Sequence, residues 1–144
     1  MIDQYLVGII QVPLSSIRTE REVGRDEDQK IIKRLSTVFR RTPCRPQKWE
    51  NHVKGLVDEK TLRSIQSTLG LTYDKLGATV RSGKYPKAHI RDRILCLDGK
   101  QRVAAARRIF GKDSWWTVKL YFVPEAPAAS ARIIRKWVLY RSEG

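Results

Sequence analysis

The chain has 144 residues, 41% hydrophobic and 31% charged, a size and balance that suit one folded domain and exclude a disordered segment. Lys plus Arg number 29 against 15 Asp plus Glu, a formal net charge of +14, and that excess repels itself until something negative offsets it. No apolar run approaches the roughly 20 residues of a membrane span, the start does not read as a signal peptide, and Cys44, Cys96, His52 and His89 make neither a disulfide framework nor a CxxC-type zinc site.

Nucleic acid is the first candidate for the counter-charge, an anionic membrane surface the second and an acidic protein the third. No repeat, low-complexity tract or Gly/Ser linker divides the sequence. Residues 1–144 therefore read as a single domain, whole or a piece of a longer protein.

Tyr5 to Val12 is β-rich and halts at Pro13, a first strand. Leu14 to Arg18 follows as a turn with one buried anchor, Ile17. Asp26 and Asp28 suit a helix start. Ile31, Leu35, Val38 and Phe39 then fall at i, i+4, i+7 and i+8, one apolar face of a helix stopped before Pro43. Lys30, Lys33, Arg34, Arg40, Arg41, Arg45 and Lys48 lie in this stretch without a single acid. A merely solvated face would gain from i,i+4 ion pairs, so a one-sign face favours contact with an anion.

Leu62, Ile65 and Leu69 predict a second helix between Asp58 and Leu69, closed by Gly70. Residues 72–92 give no clear period, and Arg81 to Lys87 reads as a mobile basic loop. Ile94-Leu95-Cys96-Leu97 has the continuous apolar character of a strand buried on both faces. A helix from Val103 to Phe110 ends at Gly111, with Val103, Ala106 and Phe110 toward the sheet. Trp115 to Val123 is the strongest strand. A last helix, about 128–141, carries Ile133, Ile134, Trp137, Val138 and Tyr140 on its apolar side and Arg132, Arg135, Lys136 and Arg141 on the other. Strands and helices in this order predict a small α+β domain, a mixed β-sheet with packed helices.

Chemistry concentrates at Asp98-Gly99-Lys100-Gln101-Arg102, the junction between strand and helix. Such a junction points free N–H groups at the positive end of the helix dipole. Gly99 permits close approach, and Lys100 and Arg102 add charge, Arg102 with a fork suited to phosphate. The same residues also fit a capping box, with Asp98 over the helix N–H groups and Gln101 reaching back. Spacing leaves both readings open.

Ile94 to Arg108, ILCLDGKQRVAAARR, resembles the strand–turn–helix signature of the ParB/sulfiredoxin superfamily, whose members carry a D-G-x-H-R or G-x-R-R type turn before an alanine-rich helix. Val12 to Arg18 is similar to that family's V-P-L-x-x-I opening. Trp49-Glu50-Asn51-His52-Val53 and Trp115 to Tyr121 look more narrowly like an uncharacterised group of fungal ParB-like proteins. The resemblance is patchy from about residue 9 to residue 123.

The resemblance implies a ParB/sulfiredoxin-like fold. Lys100 stands where sulfiredoxins hold their catalytic cysteine, so that thiolate chemistry is excluded. Cys96, inside the buried strand, reads as packing. In nucleotide-binding ParB proteins the turn contacts a triphosphate, a role that transfers to Gly99, Lys100 and Arg102 and implies a nucleoside triphosphate with Mg as a cofactor. Gln101 replaces the usual His or Arg, which weakens hydrolysis. The family's helix-turn-helix reader has no counterpart among these residues. The fungal resemblance and the charge together imply an intracellular, nuclear protein.

Asp92, Asp98 and Asp113 are the acids near the turn, and Glu20, Glu22, Asp26, Glu27 and Asp28 form an acidic run that reads as a helix start; no metal ligands are assigned. His52 reads as fixing a turn. Trp115, Trp116 and Trp137 read as core, with Trp49 least constrained. The expected function is nucleic-acid binding, DNA in the first instance, through phosphate contacts. Gly99, Lys100, Gln101 and Arg102 form the phosphate site, helped by Lys33, Arg34, Arg40, Arg41, Arg45, Lys84, Lys87, Arg91 and Arg93. The alternatives are an NTPase or nuclease using the same turn, with catalytic residues unassigned, and an interaction module that self-associates or docks through its C-terminal helix.

Overall fold

The apolar side chains of the strands fall on two faces of one mixed sheet. The computed structural model describes residues 2–20, 27–41, 52–91 and 94–124. Among them the strands are β1 (Leu6–Pro13), β2 (Ile17–Arg18), β3 (Val53–Val57), β4 (Ile94–Asp98) and β5 (Trp115–Phe122), in the order β1-β5-β3-β4-β2. β1 runs antiparallel to β5, β5 parallel to β3, β3 antiparallel to β4, and β4 parallel to β2. The helices are α1 (Gln29–Arg41), α2 (Glu59–Leu69), α3 (Tyr73–Ser82) and α4 (Lys100–Phe110). The protein is a small α+β fold, as its sequence predicts.

All four helices feed one core. Ile32 and Phe39 of α1, Leu62 and Ile65 of α2, Leu76 of α3 and Val103, Ala105 and Ala106 of α4 meet Ile10, Val12, Val53, Ile94, Cys96, Trp116, Val118 and Leu120 of the sheet. The other strand parity, Leu95, Leu97 and Tyr121, forms a smaller cluster with Tyr5, Leu6, Leu56 and Val123. β4 is thus buried on both faces, which is why its sequence is continuously apolar. Trp116 is fully buried, whereas its strand neighbour Trp115 is only half-buried.

α2 begins and ends as its sequence requires. The Asp58 carboxylate accepts a hydrogen bond from the Thr61 N–H at 2.7 Å, and Gly70 closes the helix at φ 65°.

Several expectations need correction. The apolar face of α1 is Ile32, Ser36 and Phe39; Ile31 and Leu35 flank it, and Val38 is 49% exposed. A shift of one residue turns a helix by about 100°, and packing against α4 selects the shifted face. Ser36 is tolerated there because its hydroxyl donates to the Ile32 carbonyl at 2.7 Å. The 14–18 turn is a 3-10 turn, Leu14–Ser16, followed by β2, and it buries Leu14 and Ser16 as well as Ile17. Phe110 does turn toward the sheet, its ring 6.2 Å from Trp116 of β5 and 6.0 Å from Phe39, though it stays 40% exposed.

The largest departure is at residues 72–90. Thr72 caps α3, its hydroxyl accepting from the Lys75 N–H at 3.2 Å. The supposed loop 81–87 contains the end of α3, then Gly83 at φ 70°, then an extended stretch along β1. That stretch and α3 together satisfy the outer edge of β1. Ile9 N–H donates to the Thr79 hydroxyl at 2.8 Å, Gln11 N–H to the Pro86 carbonyl at 2.8 Å, and Ala88 N–H to the Gln11 carbonyl at 2.9 Å. An edge strand is thereby closed to further pairing.

Candidate nucleic-acid interface

β4 carries the chain out of the sheet at Asp98, and α4 starts two residues later. Gly99 makes the corner at φ 106°, and a Cβ there would stand 3.0 Å from a Val53 methyl, so glycine is required by conformation and by space. Val103 N–H donates to the Gly99 carbonyl at 2.9 Å, the first bond of the helix.

The capping box does not form. Asp98 remains in β4, paired with Lys54, and is exposed, and the residue at the cap position is Gly99, which has no side chain to offer. Strand geometry holds the Asp98 carboxylate away from the helix N–H groups. Gln101 turns elsewhere, its side-chain oxygen accepting from the Asp28 N–H at 3.0 Å.

The turn's cations hold the fold. Lys100 is 6% exposed, and its ammonium donates to the Glu20 carbonyl at 2.7 Å. Arg102, half-buried, donates through Nη1 to the His52 carbonyl at 3.3 Å. Lys100, Gln101 and Arg102 therefore tie the turn to the chain before α1, at Glu20 and Asp28, and to the entry to β3, at His52. His52 is buried with its ring edge-on to Tyr85 at 5.2 Å.

The remaining candidate cations are distributed differently. Lys30, Lys33, Arg34 and Arg40 are exposed on α1, on the side away from Ile32, Ser36 and Phe39. Lys84, Lys87 and Arg91 are exposed on the segment beside β1. Lys87 stands 5.4 Å above the Trp115 ring, and His89 meets that ring edge-on at 5.0 Å. Arg41 lies in the last turn of α1, and Arg45, Arg93, Trp49, Cys44 and the helix expected at 128–141 lie outside the described residues. Arg108 escapes a motif search but joins this surface: it is exposed on α4, with Nη2 3.4 Å from the Gln29 side-chain oxygen. Its sequence signal is its place on the same side of α4 as Gln101, away from Val103 and Ala106.

Among the described residues the ion pairs are Arg18–Glu20 and Arg63–Glu59, and neither involves α1. Also among them, no group of three or more His, Cys, Asp or Glu is placed to hold a metal ion. Burial pushes the Cys96 thiol up to about 12, with the nearby Asp98 charge adding to the effect, so this cysteine is packing and has no nucleophilic role at neutral pH. No helix among the described residues is long and apolar enough to cross a membrane.

A family model, "Protein of unknown function (DUF3723) N-terminal domain", matches residues 5–136. No curated protein and no solved structure matches the chain.

Proposed function

The chain belongs to the DUF3723 N-terminal domain family, and we propose that it binds nucleic acid, with DNA the expected form, through phosphate contacts. The carrying observation is where the charge sits. Lys30, Lys33, Arg34, Arg40, Lys84, Lys87, Arg91 and Arg108 are all exposed, while Lys100 and Arg102 serve the fold. Exposed cations of this kind, in a chain of net charge +14, are what a polyanion partner would meet.

The 98–102 turn is a second, smaller contact in this reading. Gly99 at the start of α4 has no side chain to cap it, so the helix start favours a phosphate of the backbone or of a Mg-bound nucleoside triphosphate. The β4–Gly99–α4 connection in a mixed sheet supports a ParB/sulfiredoxin-like relationship, and the fungal resemblance with the charge carries the proposal of a nuclear location.

A mobility shift with a labelled duplex tests the proposal, using wild type and Arg102→Ala, each with and without Mg-nucleotide. A retarded complex at low salt is expected. Its weakening in Arg102→Ala, with a urea melt showing the fold intact, would assign the turn to the interface, and an unchanged complex would leave the contact to the other basic faces. No retardation at low salt would overturn the proposal.

A further inference from the structure

Building on that reading, we infer that α1 is the docking element, laid along the sugar–phosphate backbone of a double-stranded nucleic acid and contacting it without reading bases. Lys30, Lys33, Arg34 and Arg40 fall within an arc of about 120° around α1 and about 15 Å along it. Their arc lies opposite the buried Ile32, Ser36 and Phe39. From Gln29 to Arg41 the helix contains no acid.

The centre of the stripe is Thr37, exposed, with Lys33 and Arg34 one turn before it and Arg40 one turn after. Its hydroxyl donates back to the Lys33 carbonyl at 3.0 Å. The one neutral polar group on the stripe is therefore occupied within the helix, and what faces outward is cationic. Arg108 extends the charge from α4 near the start of α1.

Shape excludes base readout. α1 is seated on the core and flanked by α4, so only one side of it is open. A recognition helix must enter a groove about 8.5 Å deep, and a helix embedded to half its girth reaches only the phosphates that rim it. Single strands are taken up by stacking on aromatic rings, and the stripe has none: Phe39 is buried, and Phe110 packs on Phe39 and Trp116. An anionic membrane would require the apolar face of α1 to insert, but Ile32 and Phe39 are already spent in the core.

The test is fluorescence anisotropy at several salt concentrations on two duplexes of unrelated sequence and on a single strand. The proteins are wild type, the α1 triple variant Lys33→Gln/Arg34→Gln/Arg40→Gln, and a control triple, Lys60→Gln/Arg63→Gln/Lys75→Gln, on α2 and α3. All replaced residues are exposed, and circular dichroism with urea melts verifies each fold. A charge-preserving triple, Lys33→Arg/Arg34→Lys/Arg40→Lys, separates charge from shape.

The α1 triple is expected to reduce the log–log salt slope by about 3 on both duplexes, with the control triple losing less and the charge-preserving triple binding as wild type does. Equal binding by wild type and the α1 triple overturns the inference while leaving the broader proposal standing. So does a tenfold preference for one duplex, or a single strand bound as tightly as a duplex. Absence of duplex binding, with capture by polyglutamate or anionic vesicles instead, overturns both.

Discussion

The Lys100 ammonium lies 2.7 Å from the Glu20 carbonyl oxygen, on a side chain that is only 6% exposed. A cation at the first position of a helix opposes the helix dipole, so its place there is maintained by what it holds. Lys100→Met keeps the stem but leaves that carbonyl without its donor, and loss of a charged hydrogen bond costs about 1.5–3 kcal/mol. A urea melt should show a lower midpoint with an unchanged slope. A wild-type midpoint would mean the contact contributes nothing.

Asp98 stands beside the same turn but caps nothing. Asp98→Ala is therefore expected to change stability by less than about 0.5 kcal/mol, the ordinary range for an exposed site, while tightening binding of a polyanion. A loss near 1 kcal/mol, the cost of a missing cap, would show that the carboxylate does satisfy the helix start.

Cys96 gives a pH signature. Its thiol is raised by burial to about 12, above its unfolded value. A group shifted upward supplies stability that is complete below the unfolded pKa and lost as pH rises toward the folded one. Between about pH 9 and pH 12 this loss approaches 1.4 kcal/mol per pH unit for one group. Denaturant melts at pH 7 and pH 10 should show a larger drop for wild type than for Cys96→Ala. In native protein at neutral pH the Cys96 thiol should also resist a disulfide reagent until urea unfolds the chain.

Gly55 sits in β3 where a Cβ would stand 2.3 Å from an Ile94 methyl and 2.9 Å from one of Val118. Gly55→Ala should destabilise by about 1–3 kcal/mol through overpacking. Gly70→Ala is a useful contrast, because the space there is open and only the left-handed backbone resists it, at about 1–2 kcal/mol. Thermal melts of both variants measure the difference, and a neutral Gly55→Ala would mean the sheet and core yield at no cost.

β1, β4, β5 and α2 are readable because their signals are local, whereas the sequence predicts a turn at β2 and no strand at β3 (Val53–Val57). β4 is apolar without interruption, β5 is aromatic and β-branched, and α2 has its Asp58 start and Gly70 stop. α3 is hidden because it buries little apolar surface: Leu76 and Thr79 face inward while Tyr73 and Val80 stay exposed. Its reason for existing lies in the unpaired edge of β1, which no window around residue 77 contains. The face of α1 is misread for a related cause, since its partner α4 is about seventy residues away in sequence and decides which side is buried.

The candidate site is only half legible. A Gly corner before a helix is visible in the sequence, and the structure places Gly99 there. That Lys100 and Arg102 are drawn inward to the Glu20 and His52 carbonyls depends on long-range packing. The exposed stripe on α1 survives because its spacing is intrahelical.

The most direct test of the account is the salt dependence of wild-type binding to a duplex of about 20 base pairs, read by anisotropy. With about six phosphate contacts the plot of log K against log salt should be straight with a slope of about −5. A flat line, or no binding at the lowest salt, would contradict it and leave the charge of +14 to some other partner.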